Sequence, residues 1–323
     1  LKLSLPFTKK ILSLDIGAYG IKVVEGRRKG QSIRIDKYFI IPTPEGVYDD
    51  GKIADRDLLH YTIHEELKKN KIRAKDVYLT INNSSIITRE VTIPKVKDDE
   101  IERVLRFQLE DYIPIDPNNY IIQFKIIEEF IDGDVNRLNI LLVAIPRDMV
   151  EEHFELLKSL SLNPMVLDYQ PNSIAKLIQY GGLINGEYST KDMTFAVIDM
   201  GYDSAKVSII RNGRIQVSRI IEGGGGSIGP NVAKQDIIDN FFGILSQRIE
   251  LVFRYFLSRK PGNRIDKILL VGGNSIVDGI VELFMADFSI PTMRMESLDN
   301  IYGVEQIYIY INAIGSIIRV IEV

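Results

Sequence analysis

The chain has no cysteine. That excludes disulfide scaffolding, thiol catalysis and metal ligation by cysteine, and it fits a reducing cytoplasm. Histidine is scarce, with three in 323 residues. His60 and His64 fall i, i+4 on a helical pattern, a spacing found in zinc sites. No third ligand stands at a recognisable spacing, so the pair reads as a solvated helix flank, and His153 has no partner pattern. No apolar run approaches the roughly 18–20 residues of a spanning helix. The opening Leu1–Phe7 is too short for a signal peptide. The P-loop pattern G-x-x-x-x-G-K-S/T does not occur, which removes that class of nucleotide-binding protein. A formal net charge of −4 gives no footprint for a nucleic-acid partner.

What is present is a core-forming chain, 45% hydrophobic and 26% charged, long enough for two domains or lobes. It is organised around a duplicated stretch. The segment Ile11–Val24 recurs as Phe195–Ser208 at a constant offset of 184 residues, so that Asp15 meets Asp199, Gly17 meets Gly201, Lys22 meets Lys206 and Val23 meets Val207. Each copy predicts an apolar strand, an Asp-x-Gly turn and a second strand. Glycine lets the turn take backbone angles that a side chain forbids. Successive turn N–H groups then form a concavity for a phosphate, and a carboxylate beside them suits a hydrated Mg²⁺. Two such hairpins face to face would clamp a polyphosphate from both sides.

The candidate site follows from this pattern. Asp15 and Asp199 are the metal-side carboxylates, holding Mg²⁺ through water. Gly17, Ala18, Tyr19 and Gly20 form the first turn, and Gly201, Tyr202, Asp203 and Ser204 the second. Lys22 either reaches back to a β-phosphate or is a solvent-facing strand lysine, whereas Lys206 reads as a product of the repeat. Gln170 opens a helix, where the dipole favours negative charge. It either orients a water at a γ-phosphate, as catalytic glutamines do, or caps its own helix. Gly272 and Gly273, followed by Asn274, come after a buried-type strand. Missing side chains there either let a flat ring such as adenine approach the backbone or make an ordinary strand–helix turn. The tract Gly223–Gly229 contains G-x-G-x-x-G, but it follows a meander and Pro230 interrupts what comes next, so it is not read as a dinucleotide fingerprint.

A three-strand meander is expected to open each half. The first half also holds strands at Val77–Ile81 and Ile86–Ile93 with Asn82-Asn83 as the turn, an amphipathic helix at Asp98–Tyr112, and strands at Tyr120–Phe130 and Leu138–Ile145. The part from about 82 to 146 has no counterpart in the second half and reads as an insertion. Asp148–Glu151 resembles a capping box that starts a helix. A polar linker is expected at 181–193, and helices at 55–70, 235–260 and 304–320. In the last of these, Ala313 and Gly315 would permit close packing. The expected division is a first lobe over 1–181, carrying the insertion, and a second over 191–323.

The order Leu14-Asp-Ile-Gly17, Ile198-Asp-Met-Gly201, Leu270-Val-Gly-Gly273 resembles the phosphate-1, phosphate-2 and adenosine motifs of the actin–Hsp70–hexokinase superfamily. Within it the chain resembles the PilM family of type IV pilus assembly. That narrower likeness rests on Asp15–Gly17 with Ile21–Glu25, on Leu109-Glu-Asp-Tyr-Ile-Pro114, on Leu167-Asp-Tyr-Gln-Pro171 and on Asn312-Ala-Ile-Gly315. The resemblance implies an α/β fold of the two-lobed actin-like (ribonuclease H-like) type with a small inserted α+β subdomain in the first lobe. It implies ATP and Mg in the cleft and, with no arginine finger evident, at most a slow ATPase. It further implies docking on the short cytoplasmic N-terminal tail of a PilN-like membrane protein, within the pilus assembly machinery or a related type II secretion system. The protein would then be cytoplasmic, at the inner membrane only through its partner, with a homo-oligomer compatible.

One departure stands out. Between Gly226 and the helix at 235 the family usually has a longer charged helical segment, and here about eight residues remain. Two alternatives accompany this reading. An FtsA-like cell-division protein would normally carry a C-terminal amphipathic helix after a linker, whereas this chain ends at Val323. A sugar or acetate kinase would need a catalytic base in the cleft, and none is evident.

Overall fold

A computed structural model describes residues 9–202, 204–222 and 242–319. Asp203, the glycine tract at 223–229 and the first part of the helix expected at 235–260 lie outside the described residues. The chain divides into two compact units, Leu1–Ile81 with Leu156–Val323, and Asn82–Glu155.

In the first unit, β1 (Ile11–Ile16), β2 (Gly20–Lys29) and β3 (Ser32–Pro42) form an antiparallel meander. A two-residue ribbon, β4 (Tyr48–Asp49) with β5 (Lys52–Ile53), precedes helix α1 (Arg56–Lys69). The helix starts where the Asp55 carboxylate accepts the Leu58 N–H, satisfying a donor that the first turn would otherwise leave open. Strand β6 (Asp76–Ile81) runs parallel to β1.

The second unit holds β7 (Ile87–Pro94), α2 (Asp98–Phe107), α3 (Leu109–Tyr112), β8 (Tyr120–Asp132) and β9 (Val135–Pro146). Its sheet has the order β7-β9-β8 and is antiparallel. Ile101, Leu105, Leu109 and Ile113 pack with Ile93, Leu138, Ile140 and Leu142 in one core. The Tyr112 hydroxyl donates to Gln108 Oε1 at 2.7 Å. Tyr112 and Ile113 of the stretch that carries the family resemblance therefore pack in this unit's own core, while Pro114 is exposed.

Helix α4 (Arg147–Ser159) carries the chain back. After it come β10 (Asn163–Tyr169), α5 (Gln170–Tyr180) and a second ribbon, β11 (Leu183–Ile184) with β12 (Tyr188–Ser189). The second meander is β13 (Thr194–Met200), β14 (Ser204–Arg211) and β15 (Arg214–Glu222). The chain then gives α6 (Gly243–Arg259), β16 (Lys267–Val271), α7 (Ile280–Phe288), β17 (Thr292–Arg294), β18 (Ile301–Tyr302) and α8 (Ile307–Ile317).

The duplication extends from motif to topology. One sheet has the order β10-β6-β1-β2-β3-β18 and the other β15-β14-β13-β16-β17. In each, a meander is extended by two parallel strands next to its first strand. Strand β13 is buried along its whole length, as a strand covered on both faces must be. Leu245, Ile249, Phe253 and Phe256 of α6 pack with Ile198, Val207 and Leu270 in one core.

Four local expectations are corrected. Asn82-Asn83 does not turn a hairpin: β6 pairs with β1 and β10, and β7 pairs with β9. Alternation predicts a strand but not its partner. The helix expected at 98–112 breaks at Gln108. Its core residues Ile101, Leu105, Leu109 and Ile113 recur every four residues, which drifts about 40° per step against a 3.6-residue period, and the break resets the phase. Helix α4 begins at Arg147, and Asp148 Oδ1 accepts its neighbour Met149's N–H, not a capping-box bond. The last helix spans Ile307–Ile317, not 304–320. Although it belongs to the second half of the sequence, it packs on β1, β2 and β6 of the first sheet and on α5. Being apolar on nearly all sides, it needs cover on all sides.

Candidate functional site

The site is built where the first strand of each meander ends. In register, Asp15 on β1 faces Lys22 on β2, and Asp199 on β13 faces Lys206 on β14. The two carboxylates are 2% and 4% exposed. They are brought together by one side chain: Asn312 on α8 donates its Nδ2 to Asp199 Oδ2 at 3.0 Å and to Asp15 Oδ2 at 3.4 Å. Gln170, the first residue of α5, donates Nε2 to Asp15 Oδ1 at 2.6 Å. Lys206 Nζ lies 3.9 Å from Asp199 Oδ2. Lys22 has no hydrogen-bond or ion-pair partner among the described residues, and its Nζ lies 3.4 Å from where a Cβ on Gly17 would sit.

The packing of α5 against α8 explains how both amides reach the carboxylates. A Cβ on Gly315 would lie 2.2 Å from the Ser173 carbonyl oxygen, so the helices touch backbone to backbone. Ser316 Oγ is 2.6 Å from Ser13 Oγ on β1. Lys176 pairs with Asp168 at 2.5 Å and donates to the Ile318 carbonyl at 2.9 Å, tying the end of α8 to α5.

An ionised carboxylate can only accept, so each amide turns its NH₂ towards it. The amide oxygens Gln170 Oε1 and Asn312 Oδ1 are thereby left buried without a partner among the described residues. The site thus presents two carboxylates and two spare carbonyl oxygens, a set of hard oxygen donors of the kind that suits a hydrated divalent cation.

The hairpin tips are held separately. Thr43 Oγ1 donates to the Gly17 carbonyl at 2.7 Å and Thr43 N to the Tyr19 carbonyl at 3.2 Å. Asn274 Nδ2 donates to the Gly201 carbonyl at 2.7 Å, and Gly201 N to the Ser204 carbonyl at 3.1 Å. Ala18 is half-buried in the first turn, while Gly20 opens β2. Tyr19 and Tyr202 stack with ring centroids 5.2 Å apart, so the two tips meet. Gly272 and Gly273 differ in role. Gly272 has φ +88°, and a Cβ there would lie 2.3 Å from Asp199 Oδ1. At Gly273 a Cβ would meet nothing within 4 Å.

Two residues of this arrangement are missing from the sequence-based set of site residues. Asn312 was legible as the one amide in the apolar run Ile307–Ile317, where a buried polar group calls for a partner. Thr43 carries no signal. His60 and His64 stack on α1, and among the described residues no cluster of three or more acidic or histidine side chains could hold a metal. His153 is buried with Nδ1 2.8 Å from the Met149 carbonyl, and burial lowers its pKa.

The family model for type IV pilus assembly protein PilM matches residues 13–235, more than half of the chain. The chain belongs to the PilM family. A solved PilM–PilN type IV pilus biogenesis complex is similar with a TM-score of 0.77, at 21% identity, over 95% of this chain and 97% of that one. The ethanolamine utilization protein EutJ of Carboxydothermus hydrogenoformans is similar with a TM-score of 0.53, at 11% identity, over 95% and 88%. MreB 5 of Spiroplasma citri bound to AMPPNP gives 0.50, at 13% identity, over 96% of each chain. The fold is actin-like α/β.

Proposed function

We propose that this chain is an ATP-binding scaffold of type IV pilus assembly that docks on the cytoplasmic tail of a PilN-like membrane protein. The observation that carries nucleotide binding is the meeting of Asp15 and Asp199 on the single amide of Asn312. The residues fit Mg-ATP. The spare oxygens of Gln170 and Asn312 suit the water protons of a hydrated Mg²⁺. Lys22, without a partner among the described residues, stands beside the first turn, within reach of a phosphate. Gly273 leaves the backbone open to a ring. Bound Mg²⁺ would neutralise phosphate charge, and Asp15 and Asp199 would hold it through water. Membership of the PilM family favours this reading over the FtsA-like and small-molecule-kinase alternatives.

Mg-ATP is expected to raise the melting temperature, because a ligand held only by the native state stabilises it by about 2.7 kcal/mol at one hundred times Kd. At about 2–4 °C per kcal/mol for a chain region of this size, that is roughly 5–10 °C. Asp15→Ala and Asp199→Ala should each remove most of the shift. Wild-type-sized shifts in both variants would mean that the hairpins are structural only.

Docking is supported by the PilM–PilN complex among the similar structures and by the surface of the unit Asn82–Glu155. Its sheet ends in edge strands β7 and β8, and Phe107 and Ile131 are 90% and 73% exposed. Edge strands with apolar neighbours accept extended peptides through backbone hydrogen bonds. Among the described residues no helix is long and apolar enough to cross a membrane, so such a tail would supply the link to the inner membrane. Titration of a synthetic PilN tail peptide should shift NMR signals within residues 82–146. No binding at high micromolar peptide, or shifts confined to residues 191–323, would refute it.

A further inference from the structure

We infer that Asn312 is a built-in stand-in for the divalent cation: its amide N–H₂ bridges Asp15 and Asp199 when no metal is present, and gives up that bridge when one arrives. This rests on the reading that the two carboxylates face Mg²⁺, and it adds a positioning residue to that site.

The electrostatics require some such device. Two carboxylates from separate strands are buried side by side, where like charges repel far more strongly than in water. Lys206 offsets Asp199. Asp15 has no ion-pair partner among the described residues, and the amide hydrogens of Gln170 and Asn312 are donated to its carboxylate. Among the described residues, Asn312 is the one seen to donate to both carboxylates. In doing so it leaves its own oxygen without a partner, although the residue is only 5% exposed.

The orphaned oxygen is the informative part. An amide carries a donor end and an acceptor end on one planar group. Facing two anions, the donor end is favoured and the oxygen goes unpaired. With a hydrated cation between the carboxylates, the local field reverses and the oxygen gains water protons to accept. No other side chain of this size serves both states. Alanine or leucine offers no donor to the metal-free site, and aspartate adds a third negative charge. The backbone around Asn312 is fixed by Gly315 against Ser173 and by Ser316 against Ser13, so the exchange needs only side-chain rotation.

The test uses MgCl₂ alone, without nucleotide, so that it stands whether or not ATP binds. Wild-type protein should gain only slightly in melting temperature from millimolar MgCl₂ over EDTA, because binding of the metal is offset by loss of the amide bridge it replaces. Asn312→Ala should melt at least about 3 °C lower in EDTA, given a few degrees per lost interaction in a protein of this size, and MgCl₂ should recover most of the loss. Asn312→Asp should lose more in EDTA and recover more in MgCl₂. Deficits that are the same in EDTA and MgCl₂ for both variants would overturn the inference. So would a wild-type gain from MgCl₂ as large as that of Asn312→Asp. Should the variants not fold, asparagine-labelled wild-type protein gives a second readout. The Asn312 side-chain amide protons should be protected from solvent exchange in EDTA and lose protection in saturating MgCl₂, and equal protection in both would overturn the inference. If Mg-ATP stabilises the wild type through Asp15 and Asp199 but MgCl₂ rescues neither variant, this inference falls and nucleotide binding stands.

Discussion

Gly315→Ala is expected to lower the melting temperature by roughly 6–12 °C, from about 3 kcal/mol of overpacking at about 2–4 °C per kcal/mol. The added methyl would sit 2.2 Å from the Ser173 carbonyl oxygen and 2.6 Å from its carbonyl carbon. Both are backbone atoms, so no side chain can rotate away and α8 must move off α5. The two helices carry Asn312 and Gln170, and separating them draws both amides away from the carboxylates. The variant should therefore also lose most of its response to Mg-ATP. Ser316→Ala is the comparison. It removes the 2.6 Å contact with Ser13 and the 2.9 Å bond to the Ala313 carbonyl within the same helix, a loss of about 1–2 kcal/mol, and should keep the nucleotide response. Thermal melts with and without Mg-ATP decide it: a Gly315→Ala protein melting within a degree of wild type would show that the helices are not held as described.

The second large effect separates two adjacent glycines. Gly272→Ala places a methyl 2.3 Å from Asp199 Oδ1 and 2.7 Å from the Met200 carbonyl oxygen, at a φ of +88° that alanine rarely adopts. The strain and the collision together should cost about 3 kcal/mol and displace Asp199. Gly273→Ala meets nothing within 4 Å, so its melting temperature should match wild type. If a nucleotide base lies against this turn, Gly273→Ala should weaken Mg-ATP binding without loss of stability. Calorimetry on that variant checks the point, and equal stability losses in the two variants would contradict the geometry.

Much of the site was legible because its parts are local. An apolar strand, an Asp-x-Gly turn and a second strand specify a hairpin, and the structure adds the register, Asp15 opposite Lys22 and Asp199 opposite Lys206. Turn chemistry and period-two patterning act over a few residues, so they can be read from a few residues. The same reasoning found the amphipathic helix near 98 but not its break at Gln108, which arises from where the core lies. It also paired Val77–Ile81 with Ile86–Ile93, where the chain in fact passes from one unit to the other.

The sequence by itself determined the duplicated hairpins and, through the four further stretches that narrow the superfamily likeness, the family. The turn glycines Gly17 and Gly201 are not at positive φ, and their lack of a Cβ instead lets the carbonyl oxygens of Gly20 and Ser204 come close. Only the tertiary structure decided that Asn312 joins Asp15, Gln170 and Asp199 in one cluster. Asn312 is separated from Asp15 by 297 residues and from Asp199 by 113, and nothing in the intervening pattern states that they meet. Their meeting depends on an apolar helix from the end of the second half lying on the first sheet, and on Gly315 letting it approach α5 to backbone contact. Such packing is a property of surfaces assembled from distant segments, and local sequence patterns do not encode which surfaces will face each other.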